Sequence, residues 1–388
     1  MIFTLEAMRA RHGDCLLIHY GSPAEPKLIV IDGGPTGVYG ETLRPRLDQL
    51  WARGEGEDPL PIQLLMVSHI DDDHINGVLA LSEELIEKKG APRPFDIRTL
   101  WLNAFDDIVG NDANELASGV KGLPASVAEA AGGGIAWKGN AAAVAASVPQ
   151  GKKLRDNARA LNWLPNEGFE KFVTAPAEGG ASAPQGELNL TVVAPQLPQL
   201  EALQADWKKK LERLQKAASA EAAEAIAADI DNSVYNLSSI VCLADLNGKR
   251  MLLTGDALGK NVVEGLRAAG ELDADGRIEV DILKLPHHGS NRNVDETFFA
   301  TIHARHYVVS GDGQYHNPEP GTFRLISKSR KDDNFDVHLT YANASNGVGE
   351  ELEDFFAEEK QAGRKYGVNY RPEADLSLKV DLLDPLTY

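Results

Sequence analysis

The chain has little of what would mark it as secreted or membrane-bound. Only two of its 388 residues are cysteine, Cys15 and Cys242. Each lies in an apolar, strand-like run, so two buried thiols are expected rather than a disulfide. That fits a reducing cytoplasm. No window approaches the ~18 consecutive apolar residues that span a bilayer, so no membrane span is expected. The start, Met1-Ile2-Phe3-Thr4-Leu5-Glu6, lacks the basic residues and long apolar core of a signal peptide and reads as a first strand. Basic residues are scarce as well: 39 Lys and Arg stand against 58 Asp and Glu, for a formal net charge of -19. Such a balance argues against broad electrostatic capture of nucleic acid, though not against a nucleic-acid substrate held locally by metal ions. There is no internal repeat of fixed period.

What the chain does contain is ordinary in bulk and unusual in one place. Apolar residues make up 43% and charged residues 25%, as in a soluble globular protein. The length allows one large domain with insertions, or two domains. The unusual place is His69-Ile70-Asp71-Asp72-Asp73-His74. Within it, His69, Asp71, Asp73 and His74 form an H-x-D-x-D-H pattern. The apolar run Leu64 to Ser68 precedes it and reads as a buried strand. After it, Val78, Leu81, Leu85 and Ile86 have helical spacing. Two imidazoles and two carboxylates on a strand-to-helix turn most simply build a metal site, since these are ligands for Zn, Mn or Fe. The plain alternative is a polar surface turn.

Early strands are expected at Ile2 to Met8, Cys15 to Tyr20 and Leu28 to Ile31, with a helix at Thr42 to Arg53 and a strand at Leu100 to Asn103. From about Asp106 to Phe172 the pattern is Ala- and Gly-rich with weak helical spacing. Ala175 to Gly186 reads as a loop, and Leu188 to Ala194 as a strand. From Leu197 to Ile230 the composition is helical, with an apolar stripe Leu203, Trp207, Leu211 and Leu214. This segment packs on the body or serves as a lid. Asn247-Gly248 is a strong hairpin signal between Ser239 to Ala244 and Arg250 to Thr254. Helices at Asn261 to Ala269 and Asp295 to Ile302 alternate with strands at Val280 to Lys284 and His306 to Ser310. Val337 to Tyr341 and Leu376 to Leu383 are strand-like. Strands first and helices outside, twice over, fit two sheets packed face to face with helices on both outer faces.

Two more places carry chemistry at strand ends. Asp256 follows Leu252-Leu253-Thr254-Gly255, where the plain alternative is a helix N-cap. His287 and His288 follow Leu283-Lys284-Leu285-Pro286, where the plain alternative is a turn histidine.

Together these motifs resemble the metallo-β-lactamase superfamily, whose hallmark is H-x-H-x-D-H; here Asp71 stands at the second histidine. That replacement, with Leu252 to Asp256 and Leu283 to Ser290, resembles the soluble hydrolase domain of ComEC-type DNA-uptake channels. The resemblance covers about Met1 to Asn103 and Leu188 to Pro320. It implies an α/β fold: one metallo-β-lactamase-like domain over 1-388, a four-layer αβ/βα sandwich. A helix-rich insertion at about 104-187 and a further helical segment at about 197-230 would be added to it.

The resemblance also implies two divalent metal ions, Zn or Mn. His69 and Asp71 would bind the first, Asp73, His74 and His288 the second, and Asp256 would bridge them. His287 becomes an outer or substrate-facing group. The family's third motif usually supplies a histidine, but none lies between His74 and His287. Asn236 stands near that position. A water activated by the two ions would attack, with Asp73 orienting it. His316 is the candidate proton donor to the leaving oxygen. Asp14 and Asp32, ending early strands, are candidate partners of the ligating histidines, or plain turn residues. Ser290 and the backbone after His288 are candidates to hold a phosphate oxygen. The expected activity is phosphodiester hydrolysis, with single-stranded DNA the first substrate. The alternatives are hydrolysis of another ester, lactone or amide, and a binding or regulatory protein on a decayed hydrolase scaffold. The insertion is a candidate surface for a protein partner, and the oligomeric state is left open.

Overall fold

The alternation of short apolar strands with amphipathic helices produces two β-sheets stacked face to face. The computed structural model describes residues 1–53, 58–88, 93–104, 107–108, 140–215 and 236–388. In the first half, β1 (Ile2–Met8), β2 (Leu16–Gly21) and β3 (Pro26–Ile31) form an antiparallel meander. A short π-helical segment, Tyr39–Leu43, leads into α1 (Arg44–Arg53). β4 (Leu60–Val67), α2 (Asp72–Glu87) and β5 (Phe95–Leu102) follow, and β3, β4 and β5 run parallel. Helix α3 (Asn140–Ala160), the edge strand β6 (Leu164–Pro165), β7 (Ala181–Gln185), β8 (Leu188–Ala194) and α4 (Leu197–Gln215) complete this half.

The second half begins with a hairpin, β9 (Val241–Leu246) and β10 (Lys249–Leu253). Its turn residues Asn247 and Gly248 both take positive φ, 53° and 74°, the conformation that matches the twist of the flanking strands. Then come α5 (Gly259–Ala268), β11 (Ile278–Lys284), α6 (Glu296–Thr301), β12 (Ile302–Val309), α7 (Pro320–Ser329), β13 (Asp336–Leu339), α8 (Val348–Gln361), β14 (Gly367–Tyr370) and β15 (Ser377–Asp381). The seven-stranded sheet has order β15-β1-β2-β3-β4-β5-β6 and the eight-stranded sheet β14-β13-β12-β11-β10-β9-β8-β7.

Three apolar layers hold the sandwich together. Phe3, Leu5, Ile18, Leu190, Ile282 and Val308 fill the space between the sheets. Leu47, Val78, Leu81, Leu154 and Leu203 seat α1 to α4 on the first sheet. Val262, Phe298, Phe323, Leu352 and Phe355 seat α5 to α8 on the second. The expected four-layer αβ/βα arrangement is therefore observed. Burial of this kind, at roughly 25 cal/mol per Å² of apolar surface, is the main stabilising term.

One sequence expectation needs correction, and several elements were not foreseen. Ala175 to Gly186, read as a loop, contains β7. It pairs antiparallel with β8 across the turn at Gly186, whose φ is 65°. A strand with Pro184 is tolerated there because β7 is the sheet edge. Residues 104–187, expected to be a helix-rich insertion, contribute α3 together with β6 and β7; residues 105–106 and 109–139 lie outside the described residues. The helical segment at 197–230 is a helix over Leu197–Gln215, with Leu203 buried. Residues 216–235 and the side chains of Trp207, Leu211 and Leu214 lie outside the described residues. Finally, α7, α8 and β14 were not foreseen, although Val348, Leu352 and Phe355 carry helical spacing and are buried.

Candidate metal centre

The parallel strands of both sheets end at one side of the sandwich, where loops gather candidate ligands. This is the usual place for a site in a sheet with parallel strands. From the first sheet, β4 runs into Ser68 and His69, and β3 into Asp32. From the second, β10 runs into Asp256, β11 into His287 and His288, and β12 into Ser310. Asp14 sits just before β2.

Helix α2 starts inside the motif. Asp71 is its N-cap residue but makes no side-chain cap bond, so its carboxylate is available to the site. Asp72 and Asp73 occupy the first turn, where the helix dipole favours negative charge. The helix lies close to the turn after β3, because two glycines face each other there. A Cβ on Gly77 would lie 1.9 Å from the Gly33 carbonyl oxygen, and one on Gly33 would lie 2.3 Å from the Val78 nitrogen. The Gly33 N–H donates to the His74 carbonyl at 2.8 Å. This contact brings Asp32 beside His74.

Four imidazoles converge on one buried carboxylate. The Nε2 atoms of His69, His287 and His288 lie 3.9, 3.7 and 3.6 Å from Asp256 Oδ2, and His74 Nε2 lies 3.4 Å from Oδ1. Asp71 Oδ2 is 3.3 Å from His69 Nε2, and Asp73 Oδ2 is 3.3 Å from His288 Nε2. His69, His74, Asp256 and His288 are all buried. The Nε2 atoms of those three histidines and Asp256 Oδ1 have no hydrogen-bond partner. Buried polar atoms without partners are costly, and a cation among them satisfies all at once. The residues therefore fit a metal ion.

The opposite edges of the rings face protein groups, hydrogen-bonded for His69, His74 and His287 and without a hydrogen bond at His288 Nδ1. His74 Nδ1–H donates to Asp32 Oδ2 at 2.9 Å. Ser68 Oγ donates to the same oxygen at 2.7 Å and lies 3.2 Å from His69 Nδ1. His287 Nδ1 lies 2.8 Å from Asn293 Oδ1, and Asn293 is itself fixed by donating from Nδ2 to the Asp256 carbonyl at 3.0 Å. His288 Nδ1 is 3.5 Å from Asp14 Oδ1, and Asp14 in turn takes an ion pair from buried Lys284 at 2.7 Å and a hydrogen bond from Ser310. Such partners fix tautomer and ring direction in metal sites. Each ring thus turns its Nε2 toward the same space.

Backbone strain accompanies the arrangement. Asp32, His287 and His288 have positive φ, 58°, 47° and 53°. Non-glycine residues pay of order 1 kcal/mol for this, and such strain collects at functional sites. The two successive left-handed histidines turn both rings back toward Asp256.

The charge balance also favours a cation. Burial pushes His74 and His288 down, but Asp256 with Asp73, Asp14 and Asp32 outweighs it. His74 is held well above its ordinary value and His288 is raised to about 10. Burial raises Asp256, yet His288, His74 and His287 hold it well below the carboxylate range. In the protein alone, protons on the imidazoles balance the carboxylates. Metal ions would take their place.

Asp73, Asp256, His287, His288, Ser290 and His316 line one cavity at this cluster. His316 is exposed and lines an open cavity of about 900 Å³ above the cluster, together with Asp73, His287, His288, Arg292 and Tyr315. Asn236 is buried, with Nδ2 3.2 Å from His287 Nδ1 and Oδ1 unpartnered. Ser290 donates to Glu319 at 3.2 Å. Sequence reasoning missed Lys284 and Asn293. The signal for Lys284 was a lone lysine inside the apolar run Ile282 to Leu285. The second-sheet cluster His306, Asp336 and His338 was also missed.

Comparison with known proteins supports the same reading over part of the chain. A family model described as "Metallo-beta-lactamase superfamily" matches residues 9–118, under a third of the chain. The matched stretch holds Asp14, Asp32 and the H-x-D-x-D-H turn, and stops short of Asp256 and the histidine pair. That superfamily consists mostly of metal-dependent hydrolases. The two-sheet α/β architecture is consistent with its fold. No curated protein matches the chain.

Proposed function

We propose that this chain is a two-metal hydrolase acting on phosphodiesters, with single-stranded nucleic acid as its substrate class. The observation that carries this reading is the convergence of four imidazole Nε2 atoms on the Asp256 carboxylate. His69, Asp71 and His287 would hold one ion, and Asp73, His74 and His288 the other, with Asp256 shared. Giving His287 to the first ion departs from the substrate-facing role expected from sequence. It supplies a third donor where the resembled family has a histidine that this chain lacks. Imidazoles mixed with carboxylates suit Zn²⁺ or Mn²⁺. Ions bound there would lower the pKa of a water and offset charge on the reacting phosphate.

The remaining work falls to the protein. Asp73 is partly exposed to the cavity and orients the attacking water. His316, on the rim, donates a proton to the leaving oxygen. The exposed Arg292 contributes a guanidinium suited to a flanking phosphate. Tyr315 is 64% exposed on the same rim, and offers a face for a nucleobase to stack on. Arg292 and Tyr315 favour nucleic acid over other phosphodiesters, in keeping with the ComEC-like motifs. The -19 net charge favours a second reading, hydrolysis of a small ester, lactone or amide, because a polyanion is repelled away from the metals.

The test presents metal-loaded protein with bis(p-nitrophenyl) phosphate, a single-stranded oligonucleotide and p-nitrophenyl acetate. The expected result is cleavage of the first two, dependent on added Mn²⁺ or Zn²⁺ and lost in Asp73→Ala. Cleavage of the acetate alone would move the assignment to the second reading. No metal-dependent phosphodiester cleavage would overturn the proposal.

A further inference from the structure

A second group of metal-binding side chains lies on the eight-stranded sheet, and none of its members lines the Asp256 cavity. His306 is on β12, and Asp336 and His338 are on the neighbouring β13. The parallel register sets His306 opposite Asp336, with His338 two residues further along. Alternate residues of a strand share a face. Asp336 and His338 therefore point away from Val337 and Leu339, which enter the outer core.

His306 Nδ1 is 3.0 Å from His338 Nε2 and 3.6 Å from Asp336 Oδ2. In a tetrahedral zinc site with bonds of about 2.0–2.1 Å, neighbouring donor atoms stand roughly 3.4 Å apart. The two separations bracket that value. Two imidazoles and one carboxylate are also a donor set that zinc uses with a fourth position left open. We infer that His306, Asp336 and His338 form a mononuclear Zn²⁺ site, separate from the Asp256 centre, that clamps β12 to β13.

The neighbouring strand is shaped for this. Gly367 on β14 pairs with Asp336. A Cβ there would lie 2.2 Å from Asp336 Oδ1, so the carboxylate lies across the glycine while Oδ2 stays toward His306. His338 also lines a surface cleft of about 540 Å³ with Asn369 and Arg46. A ligand that binds only the folded state stabilises it, so the clamp makes the melting temperature zinc-dependent.

The test measures zinc per chain after dialysis, by mass spectrometry, on the full-length protein. His306→Gln and His338→Gln are each expected to hold one equivalent fewer than wild type, with phosphodiester hydrolysis unchanged. Gly367→Ala keeps all three ligands but displaces the Asp336 carboxylate. Its zinc affinity at this site is expected to fall at least about tenfold. Should a histidine variant fail to fold, Asp336→Asn, at a side chain 39% exposed, carries the same expectation of one equivalent lost. Zinc content equal to wild type in the folded variants would overturn the proposal and leave a plain imidazole–imidazole hydrogen bond.

Discussion

Replacing Lys284 by methionine probes how the second sheet supports the centre. Lys284 is fully buried, and its ammonium lies 2.7 Å from Asp14 Oδ2, itself 1% exposed. It also donates to the Leu285 carbonyl at 3.1 Å. Methionine keeps much of the volume but leaves a buried carboxylate without its cation. Breaking such a pair costs about 3–5 kcal/mol. Ser310 and His288 still face Asp14, so the lower end, about 3 kcal/mol, is expected. Adding Asp14→Asn removes the stranded charge and should recover at least about 2 kcal/mol of that loss as coupling energy. Burial raises Asp14, but Lys284 and His288 outweigh it and hold it below its ordinary range. A lowered carboxylate stabilises the fold above its unfolded pKa and loses that stability as pH falls through its folded pKa. In Lys284→Met the folded pKa of Asp14 rises toward the unfolded one, so the acid-linked loss should become smaller. The assay is equilibrium unfolding in urea followed by tryptophan fluorescence, with chelator present. A single-variant cost under about 1 kcal/mol, or a double variant as unstable as the two singles combined, would refute the reasoning.

Three further outcomes are expected. Asp32→Ala removes the carboxylate that holds His74 and Ser68, and metal affinity by calorimetry should fall about 10–100-fold. Gly77→Ala forces a Cβ against the Gly33 backbone oxygen. It should cost near the upper end of about 1–3 kcal/mol in urea unfolding, because backbone cannot swing aside as a side chain can. Burial raises Glu6, but hydrogen bonding to His19 and the charge of Arg46 outweigh it and lower it from 4.5 to about 2. That shift is worth about 3 kcal/mol, present above pH 4.5 and lost as pH falls toward 2. Glu6→Gln should flatten the stability curve across that window.

Part of this was legible in the chain because its signals are local. His69 to His74 sit within six residues, and Asp256 and the pair His287 and His288 each follow an apolar strand, so position marked them, while the choice of His288 within the pair came from the family resemblance. Asn247-Gly248 fixed the hairpin by its own backbone preference. Asp14 and Asp32 were visible as strand ends and as candidate partners of the ligating histidines, but Lys284 as a partner of Asp14 was not. The Asp14–Lys284 contact spans 270 residues, and nothing local encodes such a pairing. His287 near Asp256 follows from two left-handed residues in succession, a conformation that side-chain type does not announce. β7 read as a loop because its Ala, Ser and Pro have weak strand preference, and pairing with β8 overrides it. α8 is different: Val348, Leu352 and Phe355 carried the helical period.

The most direct test of the central claim is an anomalous-scattering map from crystals of the protein loaded with Mn²⁺. The account predicts two peaks flanking the Asp256 carboxylate, one toward His69 and Asp71 and one toward Asp73 and His74. The absence of any peak at Asp256, under conditions where the protein cleaves a phosphodiester, would contradict it.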